Sequence, residues 1–141
     1  MGMYTELILG AELKKDTPKE VVDILKGMAK GKRIWKKSVL PKHEFFQAER
    51  WQWLFTMGSF YFGVHNGYAE IWFEDICDSW HISSRSNIKN YDSEIEKFLD
   101  WIKPYIDQGT GYRDFYALVT YEESEEPTIY YLDEYSEENE V

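Results

Sequence analysis

The stretch from Ser79 to Ile106 most constrains the fold, because its hydrophobic period changes once along its length. The first part places Trp80, Ile82 and Ser84 on one side of the backbone, with a period of two that is typical of a half-buried strand. The later part carries apolar residues three or four positions apart, as in an amphipathic helix: Ile95, Phe98, Leu99, Ile102 and Ile106. The stretch therefore predicts a strand followed by a helix that covers one face of a sheet.

The ends of this helix carry their own signals. Asp92 or Ser93 is expected to cap its start, and Ser93 with Glu96 fits a capping box, in which each side chain accepts a hydrogen bond from a backbone N–H. Pro104 has no N–H and disfavours helical geometry at the preceding residue, so we predict a kink or the end of the helix there.

Two further elements are predicted near the start of the chain. Residues 5–13 alternate in polarity and predict a strand. Thr17, Pro18 and Glu20 then supply an N-cap, a proline at the first helical position and a glutamate at the third. The helix that they begin is expected to end at Gly31.

The middle of the chain is predicted to add three more strands. One begins near Ala48 or Glu49, because Trp51, Trp53 and Phe55 alternate with other residues. Residues 60–65 and 68–73 are two apolar runs separated by Asn-Gly, a strong hairpin signal because a type I′ turn needs positive φ at both of its central positions. We therefore predict a hairpin at residues 66–67.

The last third predicts two strands, at residues 115–121 and 128–132, joined by a charged turn. Runs of strands with one helix after the first strand and another after the middle group favour an α+β fold: a largely antiparallel sheet with two helices packed on one face. The nearest named shape for this two-layer sandwich is a ferredoxin-like arrangement with extra strands. We predict one domain over residues 1–133 and a disordered acidic tail over residues 134–141.

Charge is unevenly distributed along the 141 residues, whose formal net charge is −10. Residues 14–42 contain ten Lys or Arg against three Asp or Glu, whereas residues 114–141 contain acidic residues and no basic ones. A net negative charge repels nucleic acid at long range, so direct nucleic-acid binding is not our main expectation. The basic segment at residues 14–42 keeps a nucleic-acid binder as an alternative.

Cysteine content and hydropathy indicate the compartment. The single cysteine, Cys77, allows no intramolecular disulfide, which favours a reducing environment. No apolar run approaches the ~18 residues of a membrane span, and the first residues lack the layout of a signal peptide. We expect a cytoplasmic protein without a membrane partner.

Cys77 and His81 invite a chemical interpretation because they are four residues apart. A thiol nucleophile activated by histidine, or a zinc site with His43 or His65, is conceivable on residue type. A structural zinc site needs four ligands, usually in paired short spacings, and here the Cys and His residues are scattered. We therefore predict no metal, no cofactor and no catalytic residues, and keep a small Cys/His-dependent enzyme as an alternative.

The aromatic and acidic residues favour a binding surface instead. Rings at successive positions, as in residues 60–62, would lie on both faces of a strand, and two helices are expected to cover only one face of the sheet. An exposed aromatic face beside many carboxylates suits a protein partner. Carboxylates at phosphate-like spacing could also mimic DNA and so block a basic nucleic-acid site.

Residues 3–7, 13–18, 85–91 and 94–101 resemble small uncharacterised accessory proteins encoded by bacteriophages and prophages. The resemblance implies a bacterial host cell and a role as an inhibitor or adaptor of other proteins, and it implies no catalytic residues. Our main hypothesis is accordingly a non-enzymatic accessory protein that binds a protein partner through an acidic, aromatic surface. The residues that we predict to bind the partner are Trp80, His81, Arg85, Tyr68, Glu122, Glu123, Glu125 and Glu126.

Overall fold

A computed structural model describes residues 3–107 and 115–132. In chain order, these residues form β1 (Thr5–Glu12), α1 (Lys19–Ala29), β2 (Tyr68–Glu74), β3 (Ser79–Ile88), α2 (Glu94–Ile102), β4 (Phe115–Tyr121) and β5 (Thr128–Tyr131). The strand and helix predicted within residues 79–106 are therefore confirmed as β3 and α2. The predicted tail at residues 134–141 lies outside the described residues.

The strands form one antiparallel sheet in the order β2-β3-β1-β4-β5. β1, which comes first in the chain, therefore lies in the middle, between β3 and β4. Up to β4, the chain order and the strand order are those of a ferredoxin-like βαββαβ unit, and β5 is added beside β4. The α+β fold with a largely antiparallel sheet, predicted from the sequence, is confirmed.

One face of the sheet forms the core with both helices. Leu7 and Leu9 of β1 lie opposite Ser86 and Ser84 of β3, and residues opposite each other in an antiparallel pair share a face. All four side chains are buried. The helices add their apolar stripes to the same core: Val21, Ile24, Leu25 and Met28 from α1, and Ile95, Phe98, Leu99 and Ile102 from α2.

The connection between α1 and β2 does not contain the strand expected from Ala48 onward. Trp51–Trp53 is instead a single 3-10 turn, and Trp51, Leu54 and Phe55 are buried. The buried residues are three and four positions apart, which is helical spacing. The aromatic residues of the same segment are two apart, and this alternation suggested a strand. That prediction is wrong because large rings occupy both the buried and the exposed positions of the turn.

The rings of this connection pack against α2. Phe45 lies 5.4 Å from Phe98 between ring centroids, and Phe46 lies 4.9 Å from Trp101, both in edge-to-face geometry. Trp51 contacts Phe46 in the same way at 4.9 Å. The connection therefore packs along α2 and adds its rings to the core that α2 shares with the sheet.

The hairpin predicted at residues 66–67 is also wrong. Phe60–Phe62 is a 3-10 turn that ends at Gly63 with φ of 69°, and Gly67 does not adopt a positive φ. A Cβ on Gly67 would lie 2.5 Å from Met57 O and 2.7 Å from Ser86 Cβ, so the glycine is needed for close packing. The hairpin that forms joins β2 and β3 through residues 75–78 and turns at Asp78, whose φ is 55°.

The predicted start of α2 is displaced. Ser93 occupies the cap position with φ of 53°, and its side chain caps no N–H among the described residues. Asn90 takes this role: its Oδ1 accepts a 2.9 Å hydrogen bond from Ile95 N, and its Nδ2 donates to Glu96 Oε1 at 2.7 Å. The capping box predicted for Ser93 and Glu96 is therefore wrong.

The other helix ends follow the sequence more closely. Pro18 sits at the cap position of α1 rather than at the first helical position, and the Thr17 hydroxyl donates to Lys14 O. Gly31, with φ of 81°, follows the end of α1, and Pro104 lies in a 3-10 turn after α2, both as predicted.

Candidate functional site

The face of the sheet that points away from the helices carries the candidate site. Because His81, Ser83 and Arg85 alternate with core residues of β3, they lie on this outer face, as do Tyr68 and Trp72 of β2. Part of the outer face is covered by residues 58–66, which we call the strap. The remainder, around Gly10, Ser83 and Glu70, is exposed.

The strap crosses the outer face from the β2–β3 side to β4. On one side, Arg85 Nη2 donates to Phe62 O at 3.2 Å. On the other, the Tyr61 hydroxyl donates to Glu122 O at 2.8 Å, just after the end of β4. As a result, Glu6 and Asn87 are buried although they lie on the outer face.

An ion pair lies beneath the strap. Arg85 Nε donates to Glu6 Oε2 at 2.9 Å, and the Glu6 side chain is 8% exposed. The hydrogen bond and charge of Glu6 raise the pKa of Arg85 above its usual range. Arg85 is therefore fixed between a buried carboxylate and the strap backbone, which makes it a structural anchor as well as a predicted binding residue.

The turn between β4 and β5 concentrates negative charge beside the strap. Glu123, Glu125 and Glu126 are exposed, whereas Glu122 Oε1 accepts a 2.6 Å hydrogen bond from Tyr4 N. Burial raises the pKa of Tyr121, and the charges of Glu123 and Glu122 raise it further. Together these residues give a local negative potential.

Large rings are exposed on and next to the strap. Phe60 is 95% exposed, Tyr68 60% and Tyr61 53%. Single exposed hydrophobic residues are ordinary, but exposed apolar side chains that occur together are typical of interaction surfaces, and Phe60 has its neighbour Tyr61 exposed as well. We call the strap, Tyr68 and the β4–β5 turn together the aromatic-acidic surface.

The predicted binding residues lie at four places in the structure. Tyr68 and Arg85 lie opposite each other on the outer face, and the four glutamates lie in the β4–β5 turn, to which Tyr61 joins the strap. His81 lies on the outer face beyond the strap, beside Trp72. Trp80 lies on the core side, with Lys26 Nζ 4.1 Å from its ring centroid, so it is separated from the others by the sheet.

Sequence reasoning did not select Phe60 and Tyr61 as binding residues. Their run of three rings was assigned to a strand, in which alternate rings would be buried. In the 3-10 turn none of the three rings is buried. The signal that could have identified them was Gly63, which ends the turn in a left-handed conformation.

Cys77 and His81 do lie close together, and a third residue joins them. Ligand atoms of Glu12, Cys77 and His81 all lie within 4.8 Å of one another. Glu12 is opposite His81 in the β1–β3 register, and Cys77 is in the β2–β3 turn. Glu12 was missed because its proximity depends on strand register, which is not visible in local spacing.

The basic segment forms a separate cleft on the connection after α1. Arg33, Lys37 and Lys42 line it together with Trp35 and Trp51, and its volume is about 850 Å³. His43 at its rim is hydrogen-bonded through Nε2 to Asp100 at 2.9 Å. The cleft combines cationic groups and rings, but the residues that form it are not part of the aromatic-acidic surface.

Comparison with known proteins gave no relatives: no family model matches the chain, and no curated protein or solved structure matches it. Within residues 3–107 and 115–132, neither helix has the length and apolar character needed to cross a membrane. The function is therefore inferred from geometry and charge.

Proposed function

We propose that this protein binds a basic protein partner through the aromatic-acidic surface. The observation that carries the proposal is the hydrogen bond from the Tyr61 hydroxyl to Glu122 O, which holds the exposed rings of the strap beside the acidic turn. Phe60 can enter an apolar depression of a partner, while the carboxylates pair with Lys or Arg around it.

Charge complementarity favours a basic partner. The formal net charge of −10 attracts a cationic protein at long range, and the β4–β5 turn has no basic residue to weaken that attraction locally. Basic protein surfaces, such as the partner would present, commonly bind nucleic acid, because phosphate contacts require Lys and Arg. The proposed role is thus an inhibitor or adaptor that occupies such a surface, in keeping with the phage-accessory resemblance.

Site-specific crosslinking in bacterial cells tests the proposal. A photoreactive phenylalanine analogue at position 60 should crosslink one basic protein, whereas the same analogue at position 34 should not. Ile34 is a matched control because it is 87% exposed and lines the separate cleft after α1, not the aromatic-acidic surface. Crosslinking from both positions to the same proteins, or from position 60 to this chain alone, would overturn the proposal.

Variants of the aromatic-acidic surface then measure its contribution. With the crosslinked partner purified, Phe60→Ala should weaken binding by about 1–3 kcal/mol, in the range of interface hot spots. The triple change E123Q/E125Q/E126Q should mainly slow association and reduce its salt dependence. Displacement of the chain from its partner by duplex DNA would support DNA mimicry, and simultaneous binding of both would exclude it.

Nucleic-acid binding remains a second candidate, favoured by the cleft that combines Trp35 and Trp51 with Arg33, Lys37 and Lys42. Rings stack on bases, and cations track the phosphate backbone. Fluorescence anisotropy with a labelled single-stranded oligonucleotide should then show binding that falls as salt rises and that is lost in K37Q/K42Q. No binding at low salt would exclude this candidate.

A further inference from the structure

We propose that Glu12, Cys77 and His81 form a Zn²⁺ site at the open end of the outer face. The thiol, one imidazole nitrogen and one carboxylate oxygen lie within 4.8 Å of one another. A tetrahedral zinc ion with bonds of 2.0–2.3 Å separates its ligand atoms by about 3.3–3.8 Å. The three groups therefore need to approach by about 1 Å to bind the ion.

The movement required is small because the ligand that has to move, Cys77, is the most exposed of the three. Cys77 is exposed in the four-residue turn between β2 and β3, and a change of its side-chain rotamer moves the sulfur without disturbing the core. Glu12 and His81 come from adjacent, paired strands, so their backbones are fixed relative to each other. Two rigid ligands and one adaptable ligand suit a site that closes on its metal.

Neighbouring residues orient both rigid ligands. The Ser79 hydroxyl donates to Glu12 Oε2 at 2.8 Å and fixes the carboxylate. The indole of Trp72 stacks on the His81 ring with centroids 5.4 Å apart and planes at 21°, which fixes the imidazole plane. Metal sites commonly use such outer contacts to hold their ligands in place.

His81 also carries an unexplained polar atom. Its Nδ1 is shielded from solvent and has no hydrogen-bond partner among the described residues. A shielded polar nitrogen without a partner costs free energy. Coordination of a metal ion through Nδ1 would give this atom a partner and remove that cost. This observation is independent of the proximity of the three side chains.

The chemistry of the ligands selects zinc. Thiolate and imidazole favour Zn²⁺ over Mg²⁺ or Ca²⁺, which prefer oxygen ligands. Asp75 and Asp78, in the same turn as Cys77, add negative charge that attracts a cation. Three protein ligands leave one coordination position for water, as in zinc sites that bind or activate a further group.

Cobalt substitution of untagged protein provides the direct test, because thiolate ligation to Co²⁺ produces a near-ultraviolet charge-transfer band. We expect this band in the wild-type chain, and we expect it to disappear when Zn²⁺ displaces Co²⁺. Equilibrium dialysis should show one Zn²⁺ bound per chain. Loss of a ligand in Cys77→Ser, His81→Gln or Glu12→Gln should weaken Zn²⁺ affinity by at least about 10–100-fold, the range found for outer-shell groups.

Two control variants separate the site from general metal binding. His65→Gln removes an exposed histidine elsewhere, and Glu70→Gln removes an exposed carboxylate of β2 outside the cluster. Both should keep wild-type affinity and the cobalt band. Absence of the band in folded wild-type protein, an affinity unchanged in Cys77→Ser, or equal losses in the controls would overturn the proposal.

Discussion

At the scale of single residues, glycine positions differ sharply in what they tolerate. Gly67 is enclosed by Met57 O, Phe55 O and the Ser86 side chain, and two of these contacts are with backbone that cannot move aside cheaply. Gly10 lies in the middle of β1 on the exposed part of the outer face, and no described residue comes within 4 Å of the place that an alanine methyl group would occupy there. The same chemical change therefore has different costs.

We predict that Gly67→Ala lowers the free energy of unfolding by about 1–3 kcal/mol, because the added methyl group displaces the backbone of the connection. Gly10→Ala should be neutral or slightly stabilising, since alanine reduces the entropy of the unfolded chain. Urea unfolding monitored by circular dichroism measures both. Equal stability of the two variants would show that the strand and the connection are not packed as described.

A second residue-scale prediction concerns Arg85. Arg85→Ala leaves the Glu6 carboxylate buried without its partner and removes the donor to Phe62 O. We therefore expect the free energy of unfolding to fall by about 1–3 kcal/mol, toward the lower end because Arg85 is partly exposed. Lys19→Ala breaks the exposed pair with Asp23 and is the matched control, with little change expected. If the two variants unfold at the same urea concentration, the ion pair does not anchor the strap.

At the scale of secondary-structure elements, the start of α2 gives a prediction that distinguishes the observed cap from the one suggested by sequence. Asn90→Ala removes the acceptor of Ile95 N and should destabilise the fold by about 1 kcal/mol. Ser93→Ala should cost much less, because the serine side chain makes no capping bond within the described residues. If thermal unfolding shows that Ser93→Ala is the more destabilising of the two changes, Ser93 rather than Asn90 caps the helix.

The elements that could be predicted are those whose pattern is set by burial on one side. β1, β3 and both helices show clear periods because each faces one core, and the order of the predicted elements is sufficient to favour the α+β sheet. The connection after α1 could not be predicted because its rings pack against α2, which is distant in sequence. Asn66 and Gly67 had the residues of a tight turn, but tertiary packing used the glycine differently.

The candidate site was predictable only in part, for the same reason. The acidic turn is visible from composition, and the outward positions of Arg85 and His81 follow from the period of β3. The bond between Tyr61 and Glu122, and the proximity of Glu12 to Cys77, depend on contacts between distant segments. Local spacing contains no information on such contacts.

At the scale of the whole molecule, the negative charge should affect stability. With a formal net charge of −10, repulsion within the folded chain is screened by salt, so the thermal midpoint should rise between about 0.02 and 0.5 M NaCl. E123Q/E125Q/E126Q should raise the midpoint at low salt and reduce the effect of added salt. K36Q/K37Q, which makes the charge more negative, is the opposite control. A midpoint that falls with salt would mean that attractive ion pairs outweigh the repulsion.

The central position of β1 has a consequence for how the chain is made. β1 is synthesised first among the described strands, yet its neighbours β3 and β4 follow much later in the chain. During translation, the apolar side and both hydrogen-bonding edges of β1 therefore remain unpaired until later strands are made. The second edge can pair only when β4 has left the ribosome. A nascent chain arrested before residue 115 would keep an open edge of β1, and such an edge is a ready target for chaperones and for aggregation.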